Sequence, residues 1–118
     1  MKSSCLAVAL AATAIAHAQP ASRFPNKPGR VVVAYPPGGP TDILARLVAQ
    51  KLTEHTAQQW VVDNRPGAAG VIGADLVAKS PPDGYTLLVV PATHAVNPTL
   101  MPKMPFDTVR DLSHVGLV

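Results

Sequence analysis

RVVVAYPPGGPTDILARLVAQKL, residues 30–52, joins an apolar β-branched run to a helical pattern through a corner of three prolines and two glycines. The run 30–35 is bounded by glycine and proline and has no polar alternation, which predicts a strand buried on both faces. From Thr41 to His55, Leu44, Leu47, Val48 and Leu52 recur at spacings of three and four. That spacing predicts a helix with one apolar stripe. Thr41 or Asp42 is the expected cap, because either side chain can accept a hydrogen bond from an unpaired N–H of the first turn.

The same alternation repeats downstream. Residues 60–63 (WVVD) predict a second strand, 70–79 a second helix with Ile72, Leu76 and Ala69 on its stripe, and 85–90 (YTLLVV) a third buried strand. Strand, helix, strand, helix, strand at this spacing predicts a parallel βαβαβ sheet flanked by helices, in the α/β class. Residues 91–107 read as loop or short helix, and SHVGLV at 113–118 as the start of a fourth strand.

The chain has 118 residues, with 47% hydrophobic and 14% charged, ordinary values for a globular domain. Its basic residues are scattered, without the run or stripe that nucleic-acid binding requires, so no nucleic-acid partner is expected. Residues 1–18 (MKSSCLAVALAATAIAHA) carry Lys2, an apolar core and an A-x-A site ending at Ala18, which predicts a cleavable secretory signal peptide. The core is shorter than the roughly 20 residues a membrane span needs, so no retained anchor is expected. The lone Cys5 precedes that core and leaves with it. Residues 19–29 form a Pro-rich lead-in, and 30–118 read as the front part of a longer α/β unit.

In open parallel sheets, ligands bind at the carboxyl ends of the strands. Three such ends are visible: YPPGGPTD (35–42), DNRPGAAGVIG (63–73) and PATHAVNP (91–98). Glycines allow close backbone approach, prolines stiffen the loop, and a helix N-terminus presents N–H groups to an anion. The first corner can hold a carboxylate or a phosphate, or simply turn the chain. It lacks the G-x-x-x-x-G-K-[ST] pattern of a phosphate loop, and GAAGVIG matches the dinucleotide pattern only in shifted form. No nucleophile elbow, cofactor motif or metal-ligand spacing is present, so no catalytic residue, cofactor or metal is assigned and an enzyme is not expected. His94 stands with Thr93 and Asn97 as a polar set or a loop cap; Arg65 pairs with a ligand or with Asp63.

VVVAYPPGGPTDILARLVAQKL, VVDNRPGAAGVIGADLVAKSPPDGYTLLV, THAVNPTL and PFDTVRDLSHVGLV follow one another in an order and spacing that resemble the Bug family (TctC-like) of periplasmic solute receptors. These receptors serve tripartite tricarboxylate transporters. The resemblance runs from about Pro25 to the end of the sequence. It implies a two-lobed, type II-like binding protein closing on a small carboxylated molecule, with membrane transporter subunits as partners. The carboxylate is then held mostly by main-chain groups and ordered water. By position it implies ligand contacts at Tyr35, Pro37, Gly38, Gly39, Thr41, Asp42, Thr93, His94 and Asn97, and a more structural part for Asn64 to Gly70. A two-lobed receptor needs on the order of 200–300 residues, so the sequence is expected to be the first part of lobe one, truncated. Two other readings stand beside it: a non-functional remnant, and a secreted enzyme using the Gly-rich loops as an anion hole.

Overall fold

The computed structural model describes residues 23–118. The expected signal peptide, Cys5 and the first part of the lead-in lie outside the described residues. Three parallel strands form the sheet: β1 (Gly29–Val33), β2 (Trp60–Asn64) and β3 (Thr86–Val89), in the order β2-β1-β3. Register runs Gly29 to Trp60 through Val33 to Asn64 on one side, and Arg30 to Thr86 through Val33 to Val89 on the other. The expected α/β class and parallel βαβαβ order are what the chain adopts.

Val31, Val32 and Val33 are each fully buried. Successive side chains of a strand point to opposite faces, so full burial of all three requires cover above and below. α1 (Pro40–Thr56) covers one face, where Val31, Val33 and Trp60 pack with Ala45 and Ala49. α2 (Val71–Ala78) covers the other, where Val71, Ala74 and Phe106 gather with Leu88, Met101 and Met104. β3 is only half-buried along its length rather than fully buried, because it forms one edge of the described sheet.

Both helices turn a different face inward from the one their large apolar residues suggest. α1 buries Asp42, Ala45 and Ala49, while Leu47 stays about half exposed. Leu44, Leu47 and Val48 line a shallow hollow on the flank of α1, which Val118 adjoins, and Leu52 borders both that hollow and the core. Alanines let α1 lie close to the sheet, and close packing wins over stripe size. In α2 the buried residues are Val71, Gly73 and Ala74, and Ile72 is exposed. Gly73 fixes that choice: a Cβ there would sit 2.9 Å from Ala34 Cα and from the Arg65 carbonyl oxygen. The helix can approach β1 this closely only with glycine at the contact.

Residues 92–96 form a 3₁₀ turn that leads into a single turn of helix, α3 (Asn97–Leu100). Residues 113–118 are irregular, not the expected strand. The described part of the lead-in is pinned beside β3. Phe24 meets the Tyr85 ring edge-on at 5.0 Å, and Lys27 lies 4.3 Å above that ring. Among the described residues, no helix is long and apolar enough to cross a membrane.

Candidate ligand-binding corners

All three strands are parallel, so their carboxyl ends open on the same edge of the sheet. The corner after β1 spans Ala34 to Gly39. Gly39 occupies the cap position of α1 and Pro40 the first helical position, where its fixed φ and missing N–H cost nothing. The first intrahelical bond of α1 runs from Ile43 N–H to Gly39 O (3.0 Å). The N–H groups of Thr41 and Asp42 precede it and have no partner within the helix.

Neither Thr41 nor Asp42 caps α1 as expected: no side chain caps its start. Asp42 sits one turn in and reaches back. Its Oδ2 accepts the Gly38 N–H (2.9 Å) and Arg46 Nε–H (2.9 Å), and its Oδ1 accepts Asn64 Nδ2–H (2.9 Å). The residue is buried, at 3% exposure. The Arg46 hydrogen bond, followed by those from Gly38 and Asn64, lowers its pKa from 3.8 to about 2. A negative charge in the first turn also suits the helix dipole. Asp42 is thus a permanent anion spent on three internal donors.

Asn64, the last residue of β2, completes this knot. Its Nδ2 donates to Asp42 and also to the Tyr35 carbonyl oxygen (3.2 Å). One amide nitrogen therefore ties the start of the first corner to the helix that ends it. Arg65 turns to Asp63, its Nε 3.0 Å and 3.1 Å from the two carboxylate oxygens, so local pairing is what forms.

The second corner is a left-handed turn. Gly67, Ala68, Ala69 and Gly70 have φ of 136°, 47°, 53° and 88°. Alanine in this region costs about 1–2 kcal/mol per residue, because Cβ crowds the carbonyl oxygen. The turn aims the Ala69 carbonyl at its neighbours. That oxygen accepts the Tyr35 hydroxyl (3.4 Å) from the first corner and Asn97 Nδ2 (3.0 Å) from the third. A single peptide oxygen joins all three corners.

In the third corner, Asn97 and His94 are buried and Thr93 is exposed. Only the amide nitrogen of Asn97 can donate to the Ala69 carbonyl, which orients the amide. Its second hydrogen then faces His94 Nδ1 at 3.1 Å. Nδ1 must accept, so the ring proton resides on Nε2. His94 stacks parallel to Phe106, with centroids 6.4 Å apart, and burial pushes its pKa down, so the imidazole is neutral. Its buried Nε2 has no hydrogen-bond partner among the described residues.

The corners therefore sort the expected contacts into two groups. Tyr35, Pro37, Gly38, Gly39, Thr41 and Thr93 are exposed or half-buried at the strand-end edge. Asp42, His94 and Asn97 are buried and brace the loops through internal hydrogen bonds. Sequence reasoning did not single out the Ala69 carbonyl, since a left-handed alanine leaves no mark in composition. Nor did it find Phe106, whose place beside His94 is set by a fold-back of the chain. No group of three or more His, Cys, Asp or Glu side chains able to hold a metal occurs among the described residues.

The model of the tripartite tricarboxylate transporter family receptor matches residues 44–118. Protein BugT of Bordetella pertussis is 42% identical over 115 residues, covering 96% of this chain and 35% of that protein. Among solved structures, an R. palustris protein with adipate superimposes with a TM-score of 0.68 at 44% identity, covering 73% of this chain and 29% of the other. MatC from Rhodopseudomonas palustris with bound malate gives 0.69 at 37% identity, covering 75% and 30%. The chain spans about a third of the length of the curated relatives it matches.

Proposed function

The chain belongs to the tripartite tricarboxylate transporter receptor family, and from that premise we propose that its three corners form one wall of a site for a small carboxylate. The observation that carries this reading is the joining of the corners through Ala69 O, which holds the unpaired N–H groups at the start of α1 beside the second and third loops. Peptide N–H groups at a helix start, backed by the helix dipole, suit a carboxylate without a dedicated cation. The direct contacts in this reading are Tyr35, Pro37, Gly38, Gly39, Thr41 and Thr93. Asp42, His94 and Asn97 act from beneath, by fixing the loops. Small-molecule sites often lie between lobes, so a second wall belongs to further chain of the kind the longer relatives possess.

The solute is delivered to membrane subunits of a tripartite tricarboxylate transporter. Delivery takes place in the periplasm, after removal of residues 1–18 near Ala18. Support comes from the family match and from two similar structures that hold adipate and malate. Calorimetric titration of the secreted chain with adipate, malate and citrate tests the reading, with circular dichroism as a check on folding. Saturable heats for at least one acid are expected. A folded chain that binds none of the three overturns it for this chain.

A further inference from the structure

Asn64 ties β2 to the first corner and to α1 through a single side-chain nitrogen. Its two amide hydrogens go to Asp42 Oδ1 and Tyr35 O, at 2.9 and 3.2 Å. Both acceptors belong to the segment that opens α1, whereas Asn64 belongs to β2. With both hydrogens spent, Asn64 has no donor left for a ligand. The carboxylate it faces is equally committed, to Gly38 N–H and Arg46 besides Asn64.

We infer that Asn64 is a positioning residue: it holds the Tyr35 carbonyl away from the start of α1 and Asp42 against Gly38, leaving the Thr41 and Asp42 N–H groups to meet a carboxylate. This deepens the reading above and rests on it. The amide's polarity, not its bulk, is the operative property. Two oxygens, one of them charged, converge on Asn64, and only a donor can stand between them. Any acceptor placed there repels both and pushes the Tyr35 peptide or the Asp42 carboxylate toward the site. Either displacement puts negative charge where the ligand's own carboxylate must lie.

The isosteric variant N64D separates this role from space filling. It keeps the shape of the side chain and replaces the donor by an anion facing Asp42. The full chain and its N64D and N64A variants are titrated with adipate and with malate. N64A is expected to weaken binding roughly tenfold, the loss of a hydrogen bond to a charged group, and N64D more than that. The second readout is the Asp42 carboxyl carbon followed by NMR against pH. In the native chain it titrates at about 2, and in N64A it moves up toward 3.8, because one of the donors that favour the anion is gone.

If N64D fails to fold, N64A and the native chain still decide the matter. In the native chain the two Asn64 side-chain amide hydrogens exchange more slowly than those of the exposed Gln50 amide; equal exchange overturns the inference. So does an N64D variant that binds like the native chain, or an Asp42 titration that N64A leaves unmoved. A native chain that binds neither acid overturns the receptor reading and this inference together. Binding by the native chain that N64D matches overturns this inference alone.

Discussion

Replacing Gly73 by alanine sets two effects of opposite sign against each other. Within a helix, glycine to alanine is favourable by about 1 kcal/mol, from backbone entropy alone. Against this, the new methyl lies 2.9 Å from Ala34 Cα, Ala34 Cβ and the Arg65 carbonyl oxygen. Carbon atoms in contact prefer about 3.5–4.0 Å, so the overlap exceeds half an ångström at both Ala34 carbons, and the carbonyl oxygen is crowded as well. None of the three can be moved by a rotamer change, since two are backbone atoms and the third is an alanine Cβ. Overpacking of this kind costs about 1–3 kcal/mol, and the absence of an escape route puts it in the upper part of that range. The net expectation is a loss of about 1–2 kcal/mol, the steric cost outweighing the propensity gain.

Urea unfolding followed by Trp60 fluorescence measures it. Trp60 is the sole tryptophan and is 7% exposed, so its emission reports loss of the core. The midpoint should fall by roughly 1 M at unchanged slope. Because α2 begins directly after the left-handed turn, the same variant should also weaken adipate and malate binding. A midpoint equal to or above that of the native chain refutes the argument. It would mean that α2 retreats from β1 at no cost and that the close approach at Gly73 does not set the spacing of the corners.

Two further outcomes follow from the same geometry. Asp42 titrates at about 2 when folded and near 3.8 when free, so its contribution to stability is fully present above pH 4 and is lost as pH falls through about 2. Acid unfolding followed at Trp60 between pH 5 and pH 1.5 should therefore contain a component that D42N abolishes; an identical acid profile in D42N counts against the network. Tyr85→Phe removes the hydroxyl that accepts Asn26 N–H (2.8 Å) and donates to Asn26 Oδ1 (2.7 Å). Losing that pair should raise the exchange rate of the Asn26 amide by about 5–30-fold, equivalent to about 1–2 kcal/mol, and leave Trp60 unfolding within error.

How much of this was legible in the sequence depends on what each residue had to say. The strands and helices follow from apolar runs and from glycine and proline at their ends, and their order alone dictates a parallel sheet with its ligand edge at the strand ends. The inward faces of α1 and α2 were not legible from hydrophobic size. Ala45, Ala49, Gly73 and Ala74 are weak as apolar signals and strong as spacers, and distance of approach matters more in a two-sided α/β core than the bulk of any one side chain. SHVGLV carries strand-like residues, yet no strand of the described sheet pairs with it, and periodicity supplies no hydrogen-bond partners.

The candidate site shows the same division more sharply. Glycines and prolines announced where the backbone bends, and so where N–H groups become available. They said nothing about what keeps those groups aimed outward. That work falls to Asp42, Asn64, Asn97 and the Ala69 carbonyl, and it depends on contacts spanning 22 to 34 residues. A charged residue beside a ligand loop reads from sequence as a ligand contact. In the proposed site Asp42 acts from beneath, because a carboxylate already holding three donors has little left to offer and would repel a ligand of its own sign. A site for anions can therefore contain a buried anion, provided that anion is neutralised on the protein's side. Arg46, Gly38 and Asn64 perform that neutralisation, and in the proposed site the peptide groups of the corner are left to face the solute.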